Sequence, residues 1–224
     1  MALPPAEIII RNFTPEDKEA VREICADTAF MGAPVEHFFT DRRAFVDLAI
    51  SYYTDFEPQS LFVAQADKEV VGYLAGCKDT RQYKRIFSQH ILPVVVVRLI
   101  FSPAILRIKN LRFFWAGVKS LLKGELRRPD CLKAFPAHLH INIREGFRKQ
   151  GIGLKLIERY LEYLKAEGVN GLHLYSFSPG GQSFFQRIGF KPIFSRRISY
   201  FDYLKPKPET TVVCFARNLA GDKV

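Results

Sequence analysis

Cysteine, methionine and tryptophan are scarce in this chain, with four, two and one among its 224 residues. The cysteines lie far apart and form no C-x-x-C pair; they are Cys25, Cys77, Cys131 and Cys214. This spacing is typical of neither a zinc site nor a disulfide framework, so we expect no bound metal and a reducing, cytoplasmic environment. The first seven residues lack a basic segment followed by an apolar one, which argues against a secretory signal.

Two common phosphate-binding motifs are also missing. Neither the dinucleotide pattern G-x-G-x-x-G nor the P-loop pattern G-x-x-x-x-G-K-[ST] occurs. No apolar run reaches the roughly 18 residues that a membrane span needs. The hydrophobic fraction of 48% is enough to bury one good core. We therefore expect a single domain over residues 1–224.

The most informative segment is a glycine-bearing turn between a predicted strand, residues 137–143, and a predicted amphipathic helix. Its residues are Arg148, Lys149, Gln150, Gly151, Ile152 and Gly153. Glycines let the backbone approach a phosphate closely, and the unpaired N–H groups of a first helical turn point at an anion. The order strand, turn, helix therefore predicts an anion site.

Periodicity and turn residues predict the remaining elements. Thr14 followed by Pro15 predicts a helix start, and that helix is expected to run to about Phe30. Gly168 is expected to end the helix that follows the glycine turn. The other predictions are strands at 7–11, 61–65, 70–78, 171–177, 191–200 and 210–217, a helix at 41–53 and a short helix within 183–190.

The pattern R-x-x-G-x-G, formed by Arg148, Gly151 and Gly153, resembles the acyl-CoA pyrophosphate loop of the GNAT superfamily of N-acyltransferases. Residues 183–190 resemble a second signature of that superfamily, a short helix ending in Gly-Phe. The resemblance implies an α/β (α+β) fold with a mixed, mostly antiparallel central sheet flanked by helices. It also implies transfer of an acetyl group from acetyl-CoA to an amine by direct attack through a tetrahedral intermediate. The cofactor contacts that it implies are Ile141, Ile143, Ser178 and the six residues of the glycine turn.

Candidates for proton transfer lie on the strands beside the turn. His138 and His140 resemble the His-x-His pair of the serotonin N-acetyltransferases, which implies a general base. The alternative is that both are partly buried histidines bonded to neighbouring helices. Many superfamily members have a tyrosine where this chain has Phe185, whose ring has no hydroxyl to protonate a leaving thiolate. Tyr175 on the next strand is the substitute candidate.

Residues 79–135 form a basic and apolar insert between predicted strands 3 and 4. They contain twelve lysines and arginines against three acids, so they account for +9 of the chain's formal charge of +10. We expect helices broken at Pro93 and Pro103. One interpretation is a helical lid that packs on the core beside the acceptor cleft. The other is an interfacial patch that binds anionic lipid through its cations and aromatic rings. Nucleic acid is not expected, because no recognised binding motif accompanies the charge.

Two classes of function stay open. The first is an acetyl-CoA-dependent N-acetyltransferase that acts on a small-molecule amine or a protein amine. The second is a catalytically degenerate module that binds CoA and acts in regulation or at a membrane surface. Phe185 favours the second class, whereas His138 and His140 favour the first. The sequence predicts no oligomeric state.

Overall fold

The computed structural model describes residues 7–204 and 210–220. The first six residues, part of the segment read for a secretory signal, lie outside this range. The strands are β1 (Ile8–Asn12), β2 (Leu61–Ala66), β3 (Glu69–Cys77), β4 (Ala137–Ile143), β5 (Gly171–Ser176), β6 (Lys191–Ile198) and β7 (Thr210–Asn218). The helices are α1 (Lys18–Asp27), α2 (Arg42–Asp55), α3 (Thr80–Ile86), α4 (Leu92–Ile100), α5 (Ile108–Leu122), α6 (Ile152–Ala166) and α7 (Pro179–Arg187).

The seven strands form one mixed sheet in the order β1-β2-β3-β4-β5-β7-β6. Every neighbouring pair is antiparallel except β4 and β5, which are parallel. Alternate residues of the strands serve two cores. Val63 and Tyr73 pack with α1, α2 and α4 on one face, and Phe62 and Leu74 pack with α6 and α7 on the other. The predicted fold class, including the helical insert between β3 and β4, is confirmed.

The first helix ends earlier than predicted, at Asp27 and not near Phe30. Its entry is as expected, since Pro15 follows Thr14 and the Thr14 N–H donates to Asp17 at 2.9 Å. At the other end the hydroxyl of Thr28 donates to the Ile24 carbonyl at 2.6 Å. Three residues on, Met31 and Gly32 have φ of +52° and +100°, which a helix cannot accommodate.

Pro93 does not break the insert helix, contrary to the sequence prediction. The chain stays helical from Thr80 to Ile100 through a π-helical segment, Phe87–Ile91. The Leu92 N–H bonds the Phe87 carbonyl five residues back. We attribute the continuity to this wider turn, which gives the proline ring room beside the preceding carbonyls. Pro103 does end the helix, as predicted, and begins a short 3₁₀ turn at Pro103–Leu106.

The helix after the glycine turn is fastened to the sheet through Tyr160. Its hydroxyl lies 3.0 Å from the Cys77 carbonyl and 2.9 Å from the His138 carbonyl, so it joins β3 to β4. The ring occupies the space above Gly76, where a Cβ would lie 2.2 Å from a ring carbon. The start of β4 and the end of β3 are therefore held at a fixed distance from α6.

Candidate active site

Strands β4 and β5 separate along their length. Their paired positions are Ala137 with Leu172 and His138 with His173, at the start of both strands. Beyond these two pairs, the described residues give the β5-facing edge of β4 no strand partner. The strands thus form a wedge that opens toward the carboxyl end of β4.

The main-chain groups of Ile141 and Ile143 face this wedge. The Arg144 N–H donates to the Val71 carbonyl of β3 at 2.9 Å. Because successive residues of a strand turn their main-chain groups to opposite edges, residues 141 and 143 turn theirs toward β5. The main chain of these two residues can pair with the extended arm of a cofactor only if its N–H and C=O groups point into the wedge, as they do. The pairing itself stays a prediction.

The glycine turn lies at the open end of the wedge and precedes α6. Gly151 is the N-cap of that helix with φ of +79°, and a Cβ there would meet no atom within 4 Å. The Lys155 N–H bonds the Gly151 carbonyl at 3.2 Å, so the N–H groups of Ile152 to Leu154 precede the first helical hydrogen bond. Lys149, with φ of +63°, is exposed beside them. The turn thus offers donors, positive charge and open space to an anion.

Arg148 contacts protein main chain and does not extend into solvent. Its Nε donates to the Ile143 carbonyl at 2.9 Å. A Cβ on Gly32 would lie only 2.4 Å from its Nη1, so the guanidinium packs directly on the connection between α1 and α2. Arg148 therefore links the glycine turn, the end of β4 and that connection.

His138 has both ring nitrogens engaged inside the protein. Its Nδ1 lies 2.7 Å from the Thr80 hydroxyl, and its Nε2 lies 2.8 Å from the Tyr53 hydroxyl. The Thr80 hydroxyl donates its one proton to the Pro136 carbonyl at 2.6 Å, so it accepts from Nδ1–H, and Nε2 accepts from Tyr53. Burial lowers the pKa of His138 to about 3, and neighbouring His173 and His140 add to the effect. This arrangement favours the structural alternative for His138.

His140 lies on the same face of β4, two residues nearer the open end of the wedge. Its ring meets the ring of Tyr73 edge to face, with centroids 5.8 Å apart. The Asn142 amide donates to the Tyr73 hydroxyl at 3.3 Å. Burial lowers the pKa of His140, while the neighbouring Asn142 side chain opposes that shift. The imidazole is therefore neutral near pH 7, the state a base requires.

The two aromatic residues considered for the leaving group lie in different surroundings. Phe185 is buried in the core against Phe190 and Phe215. The ring of Tyr175 lies 4.9 Å from the guanidinium carbon of Arg128. Burial raises the pKa of the Tyr175 hydroxyl, as does the nearby Cys214 thiol. Tyr175 thus stays protonated, which is the state that an acid requires.

Ser178 and the helix behind it differ from the prediction in detail. The short helix begins at Pro179 and not within residues 183–190, because Ser178 caps it by accepting from the Gly181 N–H at 3.2 Å. Phe184 of this helix packs on Gly153, with a ring carbon 3.3 Å from where a Cβ would stand. Gly153 therefore serves close packing between α6 and α7, while Gly151 provides the open space.

Three segments bring aromatic rings together near Gly32. Phe30 and Phe38 come from the α1–α2 connection, Phe113 from α5 and Phe201 from the β6–β7 connection. The centroids of Phe38 and Phe113 are 5.2 Å apart, and those of Phe30 and Phe201 are 5.3 Å apart. We call these four rings the aromatic cluster; together they form an apolar wall beside the turn that contacts Arg148.

Several of these residues were not identified from the sequence. Tyr53 and Thr80 are 85 and 58 positions from His138 along the chain, so no local pattern could connect them. Gly32 beside Met31 indicates a turn, but nothing in that signal relates it to Arg148. Across residues 7–204 and 210–220, no group of three or more His, Cys, Asp or Glu is placed to hold a metal ion. Within the same ranges, no helix has the length and apolar character needed to cross a bilayer.

Known proteins share both the motif and the architecture. The model of the acetyltransferase (GNAT) family matches residues 126–190, which include β4, the glycine turn, α6, β5 and α7. The solved structure of SsHAT is 28% identical with a TM-score of 0.73, over 95% of this chain and 98% of that chain. A polyamine N-acetyltransferase of Drosophila melanogaster, which forms N-acetylagmatine, is 16% identical with a TM-score of 0.60, over 95% and 100%.

A further solved structure contains the cofactor. YncA of Salmonella typhimurium, a putative acetyltransferase solved with acetyl-CoA, is 12% identical with a TM-score of 0.57, over 97% of this chain and 96% of that chain. GNAT proteins use acetyl-CoA as the acetyl donor. The family match covers the elements that build the wedge and its glycine turn, and the fold agrees over nearly the whole chain. Residues 126–190 are therefore similar to the GNAT acetyltransferase family, and the fold of the chain is similar to that of acetyltransferases over nearly its whole length.

Proposed function

We propose that this protein transfers the acetyl group of acetyl-CoA to the amine of a small molecule or of a protein. The observation that supports this most strongly is the position of the glycine turn, at the open end of the β4–β5 wedge and directly before α6. Acetyl-CoA supplies a thioester, which is already activated toward attack by a neutral amine.

The chain's own groups fit such a cofactor. The N–H groups at the start of α6 and the open space at Gly151 suit a diphosphate. Lys149 supplies exposed positive charge beside them. The main-chain edge at Ile141 is free to pair with an extended arm, whereas the Ile143 carbonyl already accepts from Arg148. Arg148 thus holds the wedge in shape, and its charge acts on the diphosphate only at a distance.

His140 is the residue that we propose as the general base. The amine nitrogen adds to the thioester carbonyl and gives a tetrahedral intermediate, from which the C–S bond then breaks, and the attacking nitrogen must lose a proton. A neutral imidazole beside Asn142 can take that proton directly or through a water. His138 is the weaker of the two predicted candidates, because both of its nitrogens are already bonded within the protein. We assign it the role of fixing β4 against α2 and α3.

The departing sulfur leaves as a thiolate or takes a proton from Tyr175. A thiol of pKa about 8.5 is an acceptable leaving group, so an acid contributes at most about 10²- to 10⁴-fold. Phe185 is buried and its ring has no hydroxyl, so it cannot replace the tyrosine that many superfamily members use for this step. Tyr175 remains our proposal for the acid.

The acceptor is proposed to carry an apolar or aromatic body next to its amine. The aromatic cluster lies beside the turn that contacts Arg148 and presents the half-buried rings of Phe30, Phe113 and Phe201, while Phe38 is itself buried. Ring surfaces bind apolar groups and stack on aromatic ones. The neighbour from Drosophila melanogaster acetylates agmatine, a small amine, which supports a small-molecule acceptor for this chain too.

A screen for thiol release tests the function. Acetyl-CoA is incubated with the protein and with amines, amino acids, amino sugars or peptides, and the free thiol is measured. Acetyl transfer to an amine supports the proposal. If calorimetry detects CoA binding but no acceptor is turned over, the alternative of a degenerate CoA-binding module is favoured. The presence of Phe185, where many superfamily members have a tyrosine, is consistent with that alternative.

Two substitutions separate binding from chemistry. Gly151→Asp places a carboxylate where we expect the diphosphate, so CoA binding should be lost. Gly168→Asp is the matched control, since Gly168 has φ of +70° and open space at the opposite end of the same helix. Equal CoA affinity in the two variants would remove the assignment of the turn.

His140→Gln should lower kcat by about 10²- to 10⁴-fold with little change in CoA affinity. Because burial lowers the pKa of His140, wild-type activity should persist as pH falls through 6.5, the ordinary histidine value, and decline only below it. An unchanged rate in the variant would return His140 to a structural role. Tyr175→Phe tests the proposed acid in the same assay. It should lower the rate of acetyl transfer to any acceptor for which departure of the thiolate is rate-limiting.

A further inference from the structure

Helix α5 of the insert has two faces with different surroundings. Its inner face is fixed to the protein through Asn110 and Phe113. The Asn110 side chain accepts from the Thr40 N–H at 2.9 Å and donates to the Thr40 hydroxyl and the Ala104 carbonyl. Phe113 joins the aromatic cluster. This half of α5 therefore packs on the core, as the lid interpretation requires.

The opposite face of α5 is apolar and open. Trp115 is 59% exposed and Leu122 is 80% exposed, and Phe101 before the helix is 82% exposed. We define the outer face by its exposed apolar side chains, which are Phe101, Leu106, Ile108, Leu111, Trp115, Val118, Leu121 and Leu122. Exposed apolar residues that occur singly are ordinary, but a continuous set along one helix and its approach marks an interaction surface.

The charged side chains of helix α5 itself are all positive. Helix α5 contains Lys109, Arg112 and Lys119 and no acidic residue, and Lys123 follows it. Among the described residues after the helix, the nearest acid is Glu125, which is occupied by Ser120 and Ser199. A surface that combines exposed apolar rings with cations is complementary to an apolar partner carrying negative charge.

A groove beside helix α5 is also lined by cations and an aromatic ring. It has a volume of about 390 Å³ and lies between α5 and the β6–β7 connection. Arg112, Lys119 and Lys123 line it together with Trp115, and Asp202 contributes one carboxylate. Lys123 lies 4.0 Å from Glu125, so Arg112 and Lys119 against Asp202 leave the groove positive, with room for a phosphate headgroup next to the apolar rings.

We propose that the outer face of α5 docks on the surface of an anionic lipid bilayer. The apolar side chains would enter the boundary between headgroups and acyl chains, and the cations would pair with lipid phosphates. A second copy of the chain complements this face less well, because two-fold pairing would bring Arg112 and Lys119 of each copy near one another. The lid and the membrane surface are then the two sides of one helix.

The chain carries its own probe for this inference. Trp115 is its one tryptophan and lies in the outer face, so tryptophan fluorescence, excited selectively over the nine tyrosines, reports on that face alone. We would add vesicles of phosphatidylcholine, with or without phosphatidylglycerol, to the full-length protein and measure sedimentation and the emission maximum. The expected result is binding to the anionic vesicles, a blue shift, and quenching by lipids with brominated acyl chains.

Matched variants locate the contact. Leu122→Glu and Lys119→Glu should each lower anionic-vesicle affinity on the order of tenfold or more, with CoA affinity unchanged. Ile193→Glu and Lys68→Glu make the same chemical changes at exposed positions on β6 and the β2–β3 turn and should bind vesicles like the wild type. Thermal melts of all four variants would check that each is folded.

Four outcomes overturn the proposal. They are no binding to either vesicle, equal binding to neutral and anionic vesicles, equal loss in the control variants, and a dimer in sedimentation velocity that Leu122→Glu disperses while vesicles bind nothing. None of these readouts requires acetyl transfer. A failure here therefore leaves the proposed function intact, and a failure of the thiol-release screen leaves membrane docking intact.

Discussion

Acidification should destabilise this protein through His138, and the effect can be isolated. The folded state holds the imidazole neutral between Thr80 and Tyr53. Adding a proton would turn both nitrogens into donors, although the Tyr53 hydroxyl currently directs its own proton at Nε2. The unfolded state has no such constraint, so its histidine titrates near 6.5 while the pKa of folded His138 is lowered to about 3.

The direction and magnitude of the change in unfolding free energy with pH follow from the pKa values of His138 in the unfolded and folded states. Between them the unfolded state binds more protons, so stability falls as pH falls from 6.5 toward 3. Going from about pH 7 to about pH 5 removes about 2 kcal/mol of unfolding free energy from this one group. His173 and His140 also have lowered pKa values through burial, so the whole protein should lose more than that.

The assay is urea unfolding of the wild type and of His138→Gln at both pH values. The variant should be less stable at about pH 7, since Tyr53 and Thr80 lose a partner, but its loss on acidification should be about 2 kcal/mol smaller. His37→Gln removes an exposed imidazole and is the control, expected to keep the wild-type dependence. The reasoning is refuted if His138→Gln and the wild type lose the same stability between the two pH values.

Other perturbations test the contacts around the site. Gly32→Ala should weaken CoA binding several-fold by calorimetry, because its Cβ would displace the Arg148 guanidinium and φ of +100° strains alanine. Unchanged affinity would show that the position of Arg148 does not influence CoA binding at the glycine turn. Asn110→Ala should lower unfolding free energy in urea by about 1–3 kcal/mol, since it leaves Thr40 without its partner; a neutral result would mean that α5 is held by its aromatic rings alone. Gly76→Ala should cost about 2 kcal/mol or more in the same assay, because Tyr160 fills that space, and wild-type stability would show that the ring can move aside.

Local sequence patterns predicted most of the fold, because the residues that determine where a strand, helix or turn begins and ends lie within a few positions of one another. The strand β4 matched its prediction at both ends, and Gly151 and Gly168 stand at the two ends of α6 as predicted. Alternating apolar residues and glycines with positive φ express their effect within a few positions. The fold class and the superfamily followed from the order of these elements and from two motifs.

The errors and omissions arose where distant residues decide the outcome. Pro93 normally interrupts a helix, and only the π-helical segment before it let the chain continue. The surroundings of His138 depend on Tyr53 and Thr80, which the fold brings together from far along the chain. The contact between Arg148 and Gly32 likewise joins two turns whose sequences carry no common signal.

That contact limits how the protein can be re-engineered. The α1–α2 connection provides two rings of the aromatic cluster and also packs against Arg148 of the glycine turn. Libraries that diversify residues 28–41 to broaden the range of amines would therefore shift CoA affinity as well. Selection for a new acceptor should be run at saturating coenzyme. Variants that bind the new acceptor better but bind CoA more weakly are then still recovered.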